Sequence, residues 1–187
     1  MRSSSEIIKA ASVILSGGHI LCPTDTVWGL SADAANFGAV KKVFELKQRS
    51  KTKSLIVLVS SFEMLDNYLE AVPPVALNFL EKAEQPITLV YPKGKNLAKN
   101  VLAENDSIAI RIVKEGFCHA LIEHLNRAII STSANVSGDP TPSSFAEISE
   151  TIKQGVDYCV AFNQDDSKHR QASSIYLIEG EELKQIR

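Results

Sequence analysis

Several features that define common protein classes are absent from this chain of 187 residues. Its three cysteines, Cys22, Cys118 and Cys159, are far apart and form no CxxC pair, which argues against a disulfide framework and a structural zinc site. No apolar run approaches the roughly 18–20 residues of a membrane span, and Glu6 and Lys9 interrupt the N-terminal run that could otherwise resemble a signal peptide. These absences predict a cytoplasmic protein with reduced thiols and no membrane partner.

Familiar catalytic and nucleotide-binding motifs are absent as well. The sequence contains no GxxxxGK[ST] loop and no GxGxxG turn, which excludes a P-loop and a dinucleotide-binding site of the Rossmann type. It also lacks a GxSxG elbow and an HExxH helix, so a serine hydrolase of that type and a zinc protease are excluded. Any chemistry must therefore come from another arrangement.

Charge and aromatic content limit the partners. With 20 basic and 22 acidic residues, the net charge of −2 excludes a cationic coat over the whole chain but allows a local basic patch. Aromatic residues make up only 6% of the chain, too few to favour a base-stacking platform. The 44% of hydrophobic residues is enough for one sizeable core, so we expect a single domain over residues 1–187.

Hydrophobic spacing predicts helices that alternate with strands, which is typical of the α/β layered class. Ser4 or Ser5 is expected to cap the first helix, and the polar residues 163–171 are expected to form a mobile loop. Helices are predicted at residues 4–15, 36–46, 61–67, 73–83, 115–125 and 145–153. Strands are predicted at residues 19–22, 27–32, 54–59, 87–91, 107–113, 128–131, 158–162 and 173–178.

Six cations fall within residues 41–53, opposed only by Glu45. Such a run is typical of a solvated helix end, where cations also suit the helix dipole. Lys47 and Arg49, however, bracket the predicted connection from a helix to a buried strand, a place well suited to meet an anion. Arginine can bind carboxylate or phosphate through two parallel hydrogen bonds, and lysine adds a compact charge beside it. The six cations are Lys41, Lys42, Lys47, Arg49, Lys51 and Lys53.

A run of hydroxyl and amide side chains follows the apolar residues 128–130. If the chain stays extended there, alternate side chains point to one side and present three hydroxyls and an amide that can donate to phosphate and sugar oxygens. The alternative is a polar loop in which Asn135 and Ser137 make local turns. The alternate residues are Ser131, Ser133, Asn135 and Ser137.

Two further segments contain polar side chains between apolar neighbours. Residues 23–30, PTDTVWGL, place Thr24, Asp25 and Thr26 between two predicted strands, and we interpret the single tryptophan, Trp28, as a core residue. Arg111 lies within an apolar strand and alternates with its isoleucines. A charge in such a strand needs a partner, which is either a protein carboxylate or a bound anion.

These segments together resemble a known family. In chain order, PTDTVWGL, KQRSKTKSL, PITLVYP, SIAIRI and STSANVSG resemble the motifs of YrdC-like proteins, and the late SSI resembles that family's Ser-Thr-Ile segment. The resemblance covers roughly residues 5–187. The best-defined members of the YrdC-like family are threonylcarbamoyl-AMP synthases of the TsaC type. In length, this chain resembles their short bacterial form. The implied fold is a twisted, mixed α/β sheet with helices around a large, open, basic cavity.

The resemblance implies an enzyme, a nucleotidyltransferase that joins L-threonine, bicarbonate and ATP into threonylcarbamoyl-AMP and pyrophosphate. Magnesium is expected to arrive with ATP, and neither a prosthetic group nor a dedicated metal site is implied. The product serves the threonylcarbamoyladenosine (t6A) modification of tRNA, so a downstream tRNA-modifying transferase complex is an expected partner. Because all the reactants are anionic, such a step depends on positioning and preorganised donors.

The resemblance also implies roles for individual residues. Lys47 and Arg49 are the expected catalytic residues at the anionic centre. Threonine is expected to be bound by Thr24, Thr26, Arg111 and Ser173. The nucleotide is expected to be bound by Thr88, Ser131, Ser133, Asn135, Ser137 and Ser174.

Two other functions remain open at this point. One is an RNA-binding module, acting on tRNA, on double-stranded RNA or in ribosome maturation, whose basic cavity would take a phosphate backbone. The other is a carbamoyl-transfer domain, because YrdC-like units also occur inside larger carbamoyltransferases.

Overall fold

The computed structural model of the protein describes residues 2–49, 55–166 and 171–187. Within these ranges the chain forms six helices and nine strands. The helices are α1 (Arg2–Leu15), α2 (Phe37–Leu46), α3 (Phe62–Asp66), α4 (Pro74–Glu81), α5 (Gly116–Leu125) and α6 (Glu150–Gly155). The strands are β1 (His19–Cys22), β2 (Gly29–Asp33), β3 (Ile56–Val59), β4 (Ile87–Tyr91), β5 (Ile108–Ile112), β6 (Ile129–Ser133), β7 (Tyr158–Cys159), β8 (Ser174–Glu179) and β9 (Glu182–Gln185).

All nine strands belong to one sheet with the order β7-β1-β2-β6-β3-β5-β4-β8-β9. The pairs β1–β7, β3–β5 and β4–β8 are parallel, and the remaining neighbours are antiparallel. The mixed α/β sheet predicted from the sequence is therefore confirmed. The inner strands β6, β3 and β5 are apolar because both of their faces are covered, and the ends of β5 and β6 deliver polar side chains to the site.

The helices cover the sheet through their apolar faces. Helix α1 buries Ala10, Ala11 and Ile14 and leaves Ile8 and Leu15 exposed. It is also tied to the sheet edge by a buried carboxylate. Glu6 accepts hydrogen bonds from the Tyr158 hydroxyl and from the Ala161 amide, both at 2.7 Å.

Several predicted details were wrong. The first helix begins at Arg2, so neither Ser4 nor Ser5 caps it. The helix predicted at residues 145–153 begins at Glu150, because Ser149 caps it and Phe145 instead packs its ring against Trp28. The strand predicted at residues 158–162 ends at Cys159, and β9, which is short and polar, was not predicted.

Other expectations are met or fall outside the described residues. The three cysteines are free thiols, although the Cys22 and Cys118 sulfurs lie 3.7 Å apart in the core. No helix in the described ranges combines the length and apolar character needed to cross a bilayer. Lys51 and Lys53, and residues 167–170 of the loop predicted at 163–171, lie outside the described residues.

The central position of β6 leads to a stability prediction. Ile129 is fully buried and its strand pairs with β2 on one side and β3 on the other, so Ile129→Asp places an unpaired carboxylate in the core. We expect a loss of about 4 kcal/mol or more in the free energy of unfolding. Urea denaturation followed by circular dichroism measures it. Ile8→Asp, at a side chain that is 59% exposed, should cost little, and equal effects would contradict the placement of β6.

Candidate functional site

Two cavities meet at the segment that joins β1 to β2. The larger cavity has a volume of about 810 Å³ and the smaller cavity about 230 Å³. Thr24, Thr26 and Val27 line both, so this segment forms the wall between them. The remaining lining residues give each cavity its charge.

The two cavities differ in charge. Among the described residues, the larger cavity is lined by four carboxylates and by Lys114, whose ammonium already contacts the carbonyl oxygens of Leu80 and Ala83. In the described part of the chain, the smaller cavity is lined by three arginines and by no acidic side chain. The sequence resemblance implied one large, basic cavity, and that expectation stays a prediction. The carboxylates are Asp25, Glu84, Glu115 and Asp166, and the guanidinium groups belong to Arg49, Arg111 and Arg187.

Arg111 is the most deeply buried of the three arginines. It lies on β5 and is 4% exposed. One terminal nitrogen donates to the Asp25 carboxylate at 3.0 Å and to the Thr26 hydroxyl at 3.2 Å, and the other lies 3.4 Å from the Ser173 hydroxyl. Its Nε is buried without a hydrogen-bond partner among the described residues. The protein carboxylate that the sequence analysis considered is thus present, and among the described residues these three contacts leave one terminal N–H of the guanidinium over.

The loop before β2 is ordered by its own hydroxyls. The Thr24 hydroxyl donates to the Val27 carbonyl at 2.7 Å and accepts from the Thr26 amide at 3.0 Å, and the two threonine hydroxyls lie 3.0 Å apart. Both threonines are nearly buried. This Thr24–Thr26 turn is an arrangement that threonine and serine commonly form, and here it fixes two hydroxyls beside Arg111.

Ser131 and Ser133 line the smaller cavity from β6. The space above Ser131 exists because the paired strand has Gly29 there. A Cβ at position 29 would lie 2.5 Å from the Ser131 hydroxyl oxygen and 3.2 Å from Thr24. Gly29 therefore keeps the floor of the cavity open.

The predicted row of four polar side chains holds only in part. Strand β6 ends at Ser133, and Asn135 then turns back, with its amide nitrogen donating to the Ser133 carbonyl at 3.0 Å. Neither Asn135 nor Ser137 lines a cavity among the described residues. The loop alternative considered from the sequence is correct from Asn135 onward.

Lys47 and Arg49 are separated although they are only two residues apart. Arg49 lines the smaller cavity. Lys47 is 1% exposed, and its ammonium contacts the carbonyl oxygens of Ser133 and Asn135 at 2.5 and 2.6 Å. Burial and the charge of Arg49 lower the pKa of Lys47 to about 8, so it keeps its proton at neutral pH. Lys47 lines neither cavity in the described part of the chain.

Ser173 and its neighbours complete the wall of the smaller cavity. Ser173 is nearly buried, and its hydroxyl lies 2.8 Å from that of Thr88, which is fully buried on β4. Thr88 thus acts on the cavity indirectly, through its hydrogen bond with Ser173. Ser174 begins β8 and lines neither cavity in the described part of the chain.

Arg187 was not predicted as a site residue, and Asp25 was given no role there. Arg187 lines the smaller cavity, and two of its nitrogens donate to the Ser173 carbonyl at 3.1 and 3.3 Å. Burial, and then repulsion from Arg111, lower its pKa, which shows how closely the two cations are gathered. Residues 182–185, which precede Arg187, form a run that is too short and too polar for the sequence to predict a strand there.

Comparisons with known proteins agree with this architecture. A sequence model of the Sua5_yciO_yrdC family, described as telomere recombination, matches residues 12–187. The chain is 35% identical over 142 residues to the threonylcarbamoyl-AMP synthase of Pyrococcus abyssi (strain GE5 / Orsay), a match that covers 75% of this chain and 42% of that protein. It is 31% identical over 163 residues to the threonylcarbamoyl-AMP synthase of Pseudoalteromonas translucida (strain TAC 125), covering 86% and 87%.

The structural comparison covers nearly the whole chain. The crystal structure of P. abyssi Sua5 complexed with L-threonine matches with a TM-score of 0.86 at 28% sequence identity, over 99% of this chain and 54% of that chain. This chain therefore spans about half of the P. abyssi protein.

The Arg111–Asp25 ion pair leads to a second stability prediction. Asp25→Asn removes the charge partner of a guanidinium that is 4% exposed, and we expect a loss of about 3 kcal/mol in the free energy of unfolding. The matched control is Glu150→Gln, which removes the Lys153 partner from a pair whose carboxylate is 70% exposed, and it should cost under about 1 kcal/mol. Chemical denaturation of both variants measures the difference. Equal losses would show that Arg111 does not depend on Asp25.

Proposed function

The chain belongs to the Sua5, YciO and YrdC family, and we propose that it joins L-threonine, bicarbonate and ATP into threonylcarbamoyl-AMP, with release of pyrophosphate. The convergence of three guanidinium groups and several hydroxyls on the smaller cavity supports this proposal best. The reaction is written in two steps. The threonine amine forms a C–N bond with bicarbonate and water leaves, and an oxygen of the resulting carbamate attacks the α-phosphate of ATP, which breaks the bond to the β-phosphate.

Each reactant brings negative charge, and the cavity offers positive charge. Burial lowers the pKa of Arg49, which is half-buried, and partial burial together with repulsion from Arg111 lowers the pKa of Arg187, which stays exposed. Because Arg111 and Arg187 repel each other, an anion bound between them relieves that repulsion. Because the donors are fixed before the substrate arrives, they lose little energy to reorganisation when charge develops in the transition state.

The threonine end of the site is assigned to Arg111. Asp25, Thr26 and Ser173 accept from three of its five N–H groups, which leaves one terminal N–H and the buried N–H of Nε among the described residues. A carboxylate accepts a charged donor of this kind well. The hydroxyls of Thr26 and Ser173 contact the same guanidinium and line the same cavity, so they can bind the remaining polar groups of threonine.

The phosphate end is assigned to Arg49 and Arg187, and the hydroxyls of Ser131 and Ser133 line the same cavity. Thr88 orients Ser173 from behind and is not placed to touch the nucleotide itself. Magnesium enters bound to ATP. The mixed anhydride product is an activated acyl group, which suits delivery to a tRNA-modifying transferase complex in the cytoplasm.

An RNA-binding module is not favoured. The guanidinium groups converge on a cavity of about 230 Å³, a volume that fits part of a small molecule and not a nucleic-acid duplex. The larger cavity, which is wide enough for more, is lined by four carboxylates that would repel a phosphate backbone.

The direct test is pyrophosphate release by the purified chain with MgATP, bicarbonate and L-threonine, each omitted in turn. Release that requires all three supports the synthase, and replacement of L-threonine by L-serine reports on the choice of amino acid. Release without threonine or bicarbonate would indicate plain ATP hydrolysis, and no release would remove the proposal for the chain acting alone.

Arg49→Ala should lower the rate of pyrophosphate release. A lost charge-assisted contact in a closed site costs about 2–4 kcal/mol, which corresponds to roughly a 30- to 1,000-fold lower rate. The matched control is Lys41→Ala on the preceding helix α2, whose side chain is 58% exposed and pairs with Glu45. A rate for Arg49→Ala equal to that of Lys41→Ala would exclude Arg49 from the phosphate end.

A further inference from the structure

The ammonium of Lys47 is surrounded by oxygens of the chain itself. It donates to the Ser133 carbonyl at 2.5 Å and the Asn135 carbonyl at 2.6 Å, and the Asn135 side-chain oxygen lies 3.4 Å away. An ammonium has three N–H donors and no acceptor. Three oxygens therefore use its full donor capacity, and none is left for a substrate while these contacts persist.

Lys47 also holds the same segment through its backbone. It ends helix α2, and its carbonyl accepts a hydrogen bond from the Ser137 amide at 2.8 Å. The Lys47 ammonium thus binds residues 133 and 135, and the Lys47 backbone carbonyl binds residue 137. We name residues 133–139 the clamp loop.

Asn135 completes the clamp loop from within. Its side-chain oxygen accepts from the Ser133 hydroxyl at 2.5 Å, and its side-chain nitrogen donates to the carbonyls of Val136 and Asp139 at 3.1 and 2.7 Å. Because that oxygen also faces the Lys47 ammonium, the orientation of the Ser133 hydroxyl depends on Lys47 through Asn135. Ser133 is the residue of this group that lines the smaller cavity.

The backbone after Lys47 explains why the Arg49 side chain takes a different direction from the Lys47 side chain. Gln48 adopts a φ of +50°, in the left-handed region, and the Arg49 amide closes the helix on the Phe44 carbonyl at 3.0 Å. This reversal sends the Arg49 side chain to the cavity while Lys47 stays inside.

We infer that Lys47 is a positioning residue, which fixes the clamp loop and thereby the Ser133 hydroxyl, and that Arg49 supplies the cation that meets substrate. The inference rests on the proposed function for the part that concerns catalysis. The part that concerns the loop stands on the contacts alone, so the two parts can fail separately.

The first experiment observes the ammonium directly. In protein labelled with ¹⁵N-lysine, a buried ammonium held by three acceptors should give a slowly exchanging NMR signal at neutral pH, and Lys47→Met assigns it by its disappearance. Addition of L-threonine with a non-hydrolysable ATP analogue should leave this signal in place. A large shift of the signal on addition of either ligand, or the absence of any such signal, would overturn the inference. The ligand titration uses the native chain and does not depend on turnover, and the assignment requires that Lys47→Met keeps the native circular dichroism spectrum.

The second experiment compares Lys47→Met with Arg49→Met by amide hydrogen exchange and by kinetics. Lys47→Met should speed exchange of the Ser137 and Asp139 amides, lower kcat about 100-fold and change the KM for ATP little, because a misplaced group costs rate more than binding. Arg49→Met should leave loop exchange as in the native protein and raise the KM for ATP. Unchanged loop exchange in Lys47→Met, or a raised KM for ATP there, would assign Lys47 to substrate contact instead. If the native protein shows no turnover, the proposed function fails, while loop exchange still decides the role of Lys47.

Discussion

A charged group on a buried strand must find partners, and in this protein the Arg111 guanidinium on β5 draws the site together around itself. Its contacts join the loop before β2, through Asp25 and Thr26, to the start of β8, through Ser173. These segments are more than 60 residues from Arg111 in the sequence, so their meeting is a property of the sheet order alone. Among the described residues these contacts leave a terminal N–H of the guanidinium over, and an anion in the smaller cavity can accept it.

Lys47, which is buried, has a different role from Arg49 and Arg187, which line the cavity. The ammonium of Lys47 meets carbonyl oxygens and shapes a loop, whereas the guanidinium groups of Arg49 and Arg187 line the cavity. The chemistry of the two side chains suits this division. A lysine has a single compact charge that three oxygens can surround, whereas an arginine has a flat array of donors that can hold the protein on one edge and a ligand on another. Two neighbouring cations of the same motif thus need not share one role.

The sequence predicted much of the fold because its signals were local. Strand β4 has the bounds expected from its apolar run, and alternation with isoleucines placed Arg111 on the face opposite them. What failed depends on distant contacts. Phe145 left its expected helix to pack against Trp28, and Asn135 left its expected extended face because the Lys47 ammonium and two loop carbonyls bind it. Arg187 reaches the site at the end of a short, polar strand that has no hydrophobic signal.

The central claim is that the smaller cavity binds threonine through Arg111 and phosphate through Arg49 and Arg187, with Lys47 held in the loop behind them. A crystal structure of the protein with L-threonine and a non-hydrolysable ATP analogue tests this most directly. The account predicts the threonine carboxylate within hydrogen-bond distance of the Arg111 guanidinium, the phosphates beside Arg49 and Arg187, and the Lys47 ammonium still on the carbonyls of Ser133 and Asn135. Threonine bound in the larger cavity, or a Lys47 ammonium turned toward the phosphates, would contradict it.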